Sequence, residues 1–538
     1  MKAFSRLLET LVLTPSRNRK IAAIAEYLDG APDPDRGYAI GAITRDLKLK
    51  SVQPALLRDL MAERIDGELF RLSHDYVGDL AETIALLWRD DDVGGYGNDL
   101  PLSKVIGELS AVSKLDAPRV LSSLLDRLDA SARYALIKLA TGGLRIGVSA
   151  RLAKQALAEF GKVDVSEIEE LWHGLSPPYP DLFAWLEGRA EKPVSKALAP
   201  FRPVMLSNPL QEREYDKITP QDYLAEWKWD GIRVQVTNDK GVKRLYSRTG
   251  DDISGAFPDL IEALQVEGTF DGELLVRSPL DSTLAIRTFS DLQQRLNRKT
   301  VSSALLKSHP AFVRLYDLLF HEGTDWRGKP LQARRERLLE TASDMAPERF
   351  DISEALSFED FDDLREMREN PPHPVIEGLM LKRRDWVYEP GRPRGPWYKW
   401  KRDPMMVDAV LMYAQRGHGK RSGYYSDFTF GCWREGEDGL ELVPVGKAYF
   451  GFTDAELKQL DKYVRNNTVE RFGPVRSVRA TQEAGLVLEI AFEGVNRSSR
   501  HKSGVAMRFP RISRIRWDKP SGEADSVSSL VSLIGDGG

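Results

Sequence analysis

The chain has 538 residues, 42% of them hydrophobic, with 77 Lys and Arg against 81 Asp and Glu for a net charge of −4 and a single cysteine, Cys432. At ~100 to 200 residues per domain, that length makes three or four domains with separate cores, and the composition excludes disordered, collagenous and disulfide-stapled classes. One cysteine also excludes an internal disulfide and any zinc site needing two or more thiolates, which suits a reducing compartment.

The N-terminal apolar stretch is broken by Arg6 and Glu9, and no later run approaches the ~18 uninterrupted apolar residues of a membrane span. The expectation is therefore a cytoplasmic protein without a membrane partner, nucleoid-associated if prokaryotic. From residue 4 to 188 apolar residues recur at three and four positions, as in IAAIAEYL, VLSSLLDRL and LAKQALAEF, which predicts an all-α domain over 1–195. Prolines 193, 200, 203 and 209 then break helical continuation and predict a semi-extended connector. Past it, β-branched and aromatic runs (WDGIRVQVTND, TFDGELLV, FVRLYDLLF, VIEGLMLKR) alternate with helical stretches such as LQARRERLLETA, an α+β pattern over 196–403. Asn238-Asp239-Lys240-Gly241 predicts a hairpin turn. Over 404–519 the strand-like runs continue, with one helix at TDAELKQLDKYV, which predicts a small barrel; the final 19 residues, small and polar, predict a frayed tail over 520–538.

Glu226-Trp-Lys-Trp-Asp-Gly-Ile-Arg233 sets a lysine, an acid, a glycine and an arginine within six residues at a strand start. A lysine used as a nucleophile must first lose its proton, which needs neighbouring cations, a metal ion or desolvation. Residue types alone favour a plain two-faced strand. The ordered company of the segment overturns that reading: Arg248 in SRTGDDIS, Asp271 and Glu273 in FDGELL, Tyr316 and Asp317 in LYDLLF, Glu377 and Lys382 in EGLMLK, Trp397, Lys399 and Lys401 in WYKWK, and Arg516, Asp518 and Lys519 in RWDK.

On these motifs the chain from about 200 to 519 resembles the ATP-dependent DNA ligases, part of the covalent nucleotidyltransferase superfamily that also holds RNA ligases and mRNA capping enzymes. The resemblance implies an ATP-grasp-like nucleotidyltransferase core of antiparallel sheets and a C-terminal OB-fold barrel. It implies Lys228 as the residue that takes AMP from ATP, and Glu226, Arg233, Arg248, Glu273, Tyr316, Lys399, Lys401, Arg516 and Lys519 as ATP-binding residues. Glu273 and Glu377 are hard oxygen donors suited to Mg²⁺. The arginine expected just before WYKWK falls on Arg394, with Arg392 as the alternative, because RPRGP needs a one-residue shift.

Between 497 and 519 eight Lys and Arg stand against one acid, Asp518, a density suited to triphosphate or DNA phosphates. In the N-terminal half, TGGLRIG followed by a predicted N-cap at Ser149 resembles the phosphate-binding loop of ligases with a helical DNA-binding domain, and implies Gly143, Arg145, Gly147 and Arg151 as DNA contacts. The implied activity is sealing of nicked duplex DNA in three steps, by a monomer, with ATP and Mg²⁺. The alternatives are an RNA ligase or capping-type enzyme, which needs no large helical domain, and a non-catalytic DNA-binding homologue. NAD⁺ as donor is disfavoured, since the zinc module of that branch needs four cysteines.

Overall fold

A computed structural model describes the chain except residues 48, 50–51, 78, 89–99, 114, 143, 145, 196, 279–285, 297, 299, 417–423, 437–438, 474, 500 and 535–538. Up to residue 186 the described elements are helices, from Lys2–Leu13 to Pro180–Leu186, and they share one apolar core. The sequence pattern explains the packing: Ala117–Asp126 buries Leu121, Leu124 and Leu125, at relative positions 0, 3 and 4 of a single face. Each such leucine contributes ~1.5 to 3 kcal/mol by leaving water. No helix among the described residues is long and apolar enough to cross a membrane.

The described residues of the connector form no helix, and its chain is held against the core. Tyr246 Oη donates to the Ala199 carbonyl, while Phe201 and Val204 pack on the Tyr246 ring.

Two sheets form the middle of the chain. A four-stranded sheet runs in the order Asn208–Pro209, Trp397–Lys401, Ile376–Arg383, Tyr223–Trp229. A larger sheet runs Val242–Ser247, Ile232–Asp239, Gly268–Val276, Ala311–His321, Thr324–Asp325, with Phe350–Ile352 added to Ala311–His321. Pairing is antiparallel except for Asn208–Pro209 and Phe350–Ile352. The predicted hairpin turn forms with Lys240 and Gly241 both at positive φ, 50° and 82°, the backbone that matches strand twist in a two-residue loop. Gly231 follows the lysine motif because a Cβ there would stand 2.5 Å from the Leu274 carbonyl oxygen on the facing sheet. The two sheets meet at that point, and the cleft between them opens there.

Among the described residues a seven-stranded sheet builds the C-terminal barrel, with Met405–Arg416 pairing with Tyr425–Gly436, Val475–Val478 and Val487–Phe492. The predicted helix is Asp454–Asn467, begun by a capping box between Thr453 and Glu456. Cys432 is buried in this core, and burial pushes its thiol pKa up. The expected frayed tail is corrected: helix Val527–Ser532 seats Val527 and Leu530 in the barrel core, and Trp433 Nε1 donates to the Ser521 carbonyl at 2.8 Å. The serines masked an apolar stripe at Val527, Leu530, Val531 and Ile534, which is helical spacing.

Candidate active site

A cleft of about 430 Å³ lies between the two sheets of the core, closed on one side by the barrel. Its walls carry Glu226, Lys228, Arg233, Arg248, Glu273, Tyr316, Glu377, Lys399 and Lys401, so the structure brings together nine of the residues singled out in the sequence. Lys228 stands where the ladder between Tyr223–Trp229 and Ile376–Arg383 slips register, between Trp227 and Trp229. A bulge re-aims the residue it carries, and here it turns the lysine into the cleft. Its ammonium pairs with Glu377 Oε1, while Glu377 Oε2 takes Lys401 Nζ at 2.9 Å. Burial alone would raise the Glu377 carboxyl, but the two lysines hold it below the usual carboxylate range.

Lys399 and Lys401 alternate on Trp397–Lys401, both reaching the cleft while Tyr398 and Trp400 turn into a separate apolar cluster. Lys399 has its pKa lowered by burial and then by Arg392, Lys228, Lys401 and Arg248 around it. So many cations facing one cavity favour a polyanion. Arg233 is pinned beneath them: its guanidinium donates to the Met205 carbonyl and to the buried carboxylate of Asp271, which Tyr388 also holds. Asp271 is fully buried, and it serves as the anchor of Arg233.

Glu273 faces Arg233 across the ladder. Burial raises its pKa to about 7; Lys228 lowers it and Glu377 raises it. Glu273 and Glu377 are two hard oxygen donors on the wall of the same cleft. That donor set fits Mg²⁺, which takes one or two carboxylates and completes its shell with water and substrate phosphates. Among the described residues no group of three or more His, Cys, Asp or Glu side chains is placed to hold a metal ion.

At the other end of the cleft Glu226 is buried and doubly paired, with Arg335 Nη1 at 2.6 Å on one oxygen and Lys382 Nζ on the other. Lys382 also lies 4.0 Å from the Tyr316 ring centroid, and Tyr316 packs edge-on against Trp397. Lys382 was in a quoted motif without a role, whereas Arg335 lies in the charged run ARRER, which reads as a solvated helix face and gave no signal.

Three expectations do not fit the geometry. Arg392, not Arg394, lines the cleft, in a loop where Gly391 and Gly395 take φ 93° and 102°. Arg516 and Lys519 are also absent from the walls, because both are tied to Asp408 on their own domain, at 3.0 and 2.9 Å. The barrel presents instead Glu493, Arg508 and Phe509, none singled out by residue, although Arg508 falls in the basic stretch 497–519. Arg508 pairs with Asp230 of the lysine motif and lies over the Phe289 ring.

In the helical region Ser149 caps Ala150–Gly161 by accepting from the Leu152 amide. Gly147, at φ 63°, lines a groove with Arg17, Lys20, Arg45 and Arg151, and Lys20 Nζ holds the Ile146 and Gly147 carbonyls at 3.0 Å each. Gly143 and Arg145 lie outside the described residues. Arg151 Nε stands 3.6 Å from Glu169, and its guanidinium fills the space a side chain at Gly391 would need.

A lysine on a bulged strand, two carboxylates at hand and a ring of cations define an enzyme that handles a nucleoside polyphosphate. Comparison with known proteins narrows the class. Residues 204–401 match the model of the ATP dependent DNA ligase domain, and 421–519 that of the ATP dependent DNA ligase C terminal region. A probable DNA ligase of Koribacter versatilis (strain Ellin345) is 31% identical over 572 aligned positions, covering 99% of this chain and 96% of the relative. A DNA ligase of Thermococcus onnurineus (strain NA1) is 27% identical over 98% of this chain and 96% of its own length. The solved structure named Pmar-Lig_PreS3 shares the fold, with a TM-score of 0.59 at 16% identity over 95% of this chain and 99% of its own. The chain belongs to the ATP-dependent DNA ligases. It is an enzyme that binds ATP and DNA and seals nicks.

Proposed function

We propose that Lys228 is the residue that carries AMP, and that the observation supporting it most is its place beside Glu377 and Glu273 amid Arg248, Arg392, Lys399 and Lys401. Lys228 Nζ, having lost its proton, attacks the α-phosphorus of ATP; a P–N bond forms and the bond to pyrophosphate breaks. AMP then passes to the 5′-phosphate at a nick, and the adjacent 3′-hydroxyl displaces it to close the strand. Charge develops on phosphate oxygens at every step, so the cations act by position and electrostatics. Lys399 and Lys401 face the α-phosphate, and Arg248 and Arg392 the ribose and phosphate side. Arg233 supports the pocket from below, and Tyr316 with Glu226 forms the adenine end. Glu273 and Glu377 are the donors for Mg²⁺, which when bound neutralises phosphate charge. Arg516 and Lys519 reach a triphosphate only after the barrel turns about Lys401 to Pro404, the short link from one strand to the next.

Residues 1–195 are read as the DNA-binding domain, 196–403 as the adenylating core and 404 onward as a mobile barrel that keeps its C-terminal helix. The groove of Arg17, Lys20, Arg45, Gly147 and Arg151 at a helix start is suited to DNA phosphates. One chain supplies all three parts, which favours a monomer working in a reducing, cytoplasmic compartment. The test is α-labelled ATP with Mg²⁺, followed by a denaturing gel, with nicked duplex DNA or nicked RNA added afterwards. Label on the protein that is lost to DNA as the strand closes supports the reading; an unlabelled wild type, or closure of nicked RNA alone, contradicts it.

A further inference from the structure

Across the cleft runs an alternating series of charges that crosses from the core to the barrel. Lys228 pairs with Glu377 Oε1, Glu377 Oε2 with Lys401 Nζ at 2.9 Å, and Lys401 Nζ with Glu493 Oε2 at 2.8 Å. Glu493 is the barrel's member of the series. Its backbone is fixed, the amide donating to the Arg508 carbonyl at 2.9 Å, and its other oxygen lies 3.9 Å from Arg511. On the same face Arg508 pairs with Asp230, so the docked barrel sets one anion and one cation against the core. Arg508 meets a core acid, whereas Glu493 occupies a lysine that the reaction uses on phosphate.

That difference has a chemical consequence. A triphosphate or pyrophosphate at the Lys401 end would bring several negative charges against the Glu493 carboxylate, and like charges in a partly desolvated cleft repel. Lysine-bound AMP brings only one, at the Lys228 end. We propose that Glu493 is a positioning residue that commits the reaction: it holds Lys401 in place while the barrel is docked and keeps pyrophosphate from returning. The step it opposes is the reverse of adenylate loading, in which a pyrophosphate oxygen attacks the phosphorus, the P–N bond breaks, Lys228 recovers a proton and ATP leaves. Loading of ATP then requires that Glu493 withdraw with the barrel, and closure of the strand requires that it come back. The role rests on the reading of Lys228 as the AMP carrier.

The test uses the full chain and three proteins: wild type, Glu493→Gln and Glu493→Asp. Each is loaded from α-labelled ATP and freed of nucleotide. It is then divided between inorganic pyrophosphate, scored as labelled ATP released, and a nicked duplex, scored as strand closed. Glu493→Gln is expected to speed the pyrophosphate reaction by about fivefold and slow closure by about the same factor, on the scale of one partly exposed ion pair. Glu493→Asp, which keeps the charge, is expected to stay near the wild type in the pyrophosphate reaction. Plain structural damage lowers both rates together. A loaded wild type whose two rates Glu493→Gln leaves unmoved or lowers together overturns the proposal alone, as does Glu493→Asp behaving like Glu493→Gln. A wild type that takes no label overturns the underlying reading and this proposal with it.

Discussion

The cleft is made by two regions that hold their charges in opposite ways. On the core side Arg233 is locked to the Met205 carbonyl, Asp271 and Tyr388, all buried, so the pocket wall is complete within one domain. On the barrel side Arg516 and Lys519 are parked on Asp408, away from the cleft, and Glu493 and Arg508 reach across in their place. The core holds its charges within one domain, whereas the barrel turns Glu493 and Arg508 to the cleft and keeps Arg516 and Lys519 on Asp408. On the proposed reading, chemistry common to every step belongs to the first region and the order of steps to the second.

The largest expected effect lies in the core: Lys228→Ala should lower nick sealing by about 10³-fold or more, since it removes the atom to which AMP attaches. Sealing within tenfold of the wild type would move the chemistry to another lysine of the same cleft. Next is the scaffold under it. Asp317 and Arg334 are both fully buried and paired, so Asp317→Ala leaves an uncompensated guanidinium and should cost about 3 to 5 kcal/mol, read as a lower urea midpoint for the core. A midpoint matching the wild type would show that the core does not depend on this lock.

Smaller and confined to the barrel, Arg516→Ala should slow adenylate loading by about tenfold or more, the loss of a charge-assisted phosphate contact, and alter closure of a pre-adenylated nick by less than threefold. Equal losses in both assays would remove the distinction between the two barrel faces. The smallest effect concerns pH. The Glu273 carboxyl is raised from the usual range to about 7 in the folded protein, so between about pH 4.5 and 7 the native state binds more protons than the unfolded one. Stability from this group is therefore present at the acid end and is lost as pH rises through 7. Without metal, the wild type should lose thermal midpoint over that range relative to Glu273→Gln, and Mg²⁺ should bind more weakly below pH 7, where it displaces a proton. Parallel profiles for the two proteins would contradict the assignment.

Most of the core wall was legible in the sequence because each motif is a short strand segment whose cleft-facing residues alternate with buried ones, so order and spacing survive folding. Arg335 was not legible, since nothing local distinguishes a helix arginine that reaches a buried Glu226 from its solvated neighbours in ARRER. Of the two arginines that RPRGP offers, Arg392 lines the cleft and Arg394 does not, a choice that depends on the loop's path rather than on residue type. Arg516 and Lys519 stand on Asp408, away from the cleft, for a different reason: a motif fixes which residues a domain carries but not which face that domain turns inward. The tail was misread because serine-rich composition outweighed four apolar residues at helical spacing.

Four lysines, 228, 382, 399 and 401, line one cleft, and the central claim is that only the first is covalently adenylated. The direct measurement is tandem mass spectrometry of a digest after incubation with ATP and Mg²⁺ in the absence of DNA. AMP is expected on Nζ of Lys228, in the peptide that contains Trp227 and Trp229. AMP on Lys399 or Lys401, or on no lysine while the intact protein still seals nicks, would contradict it.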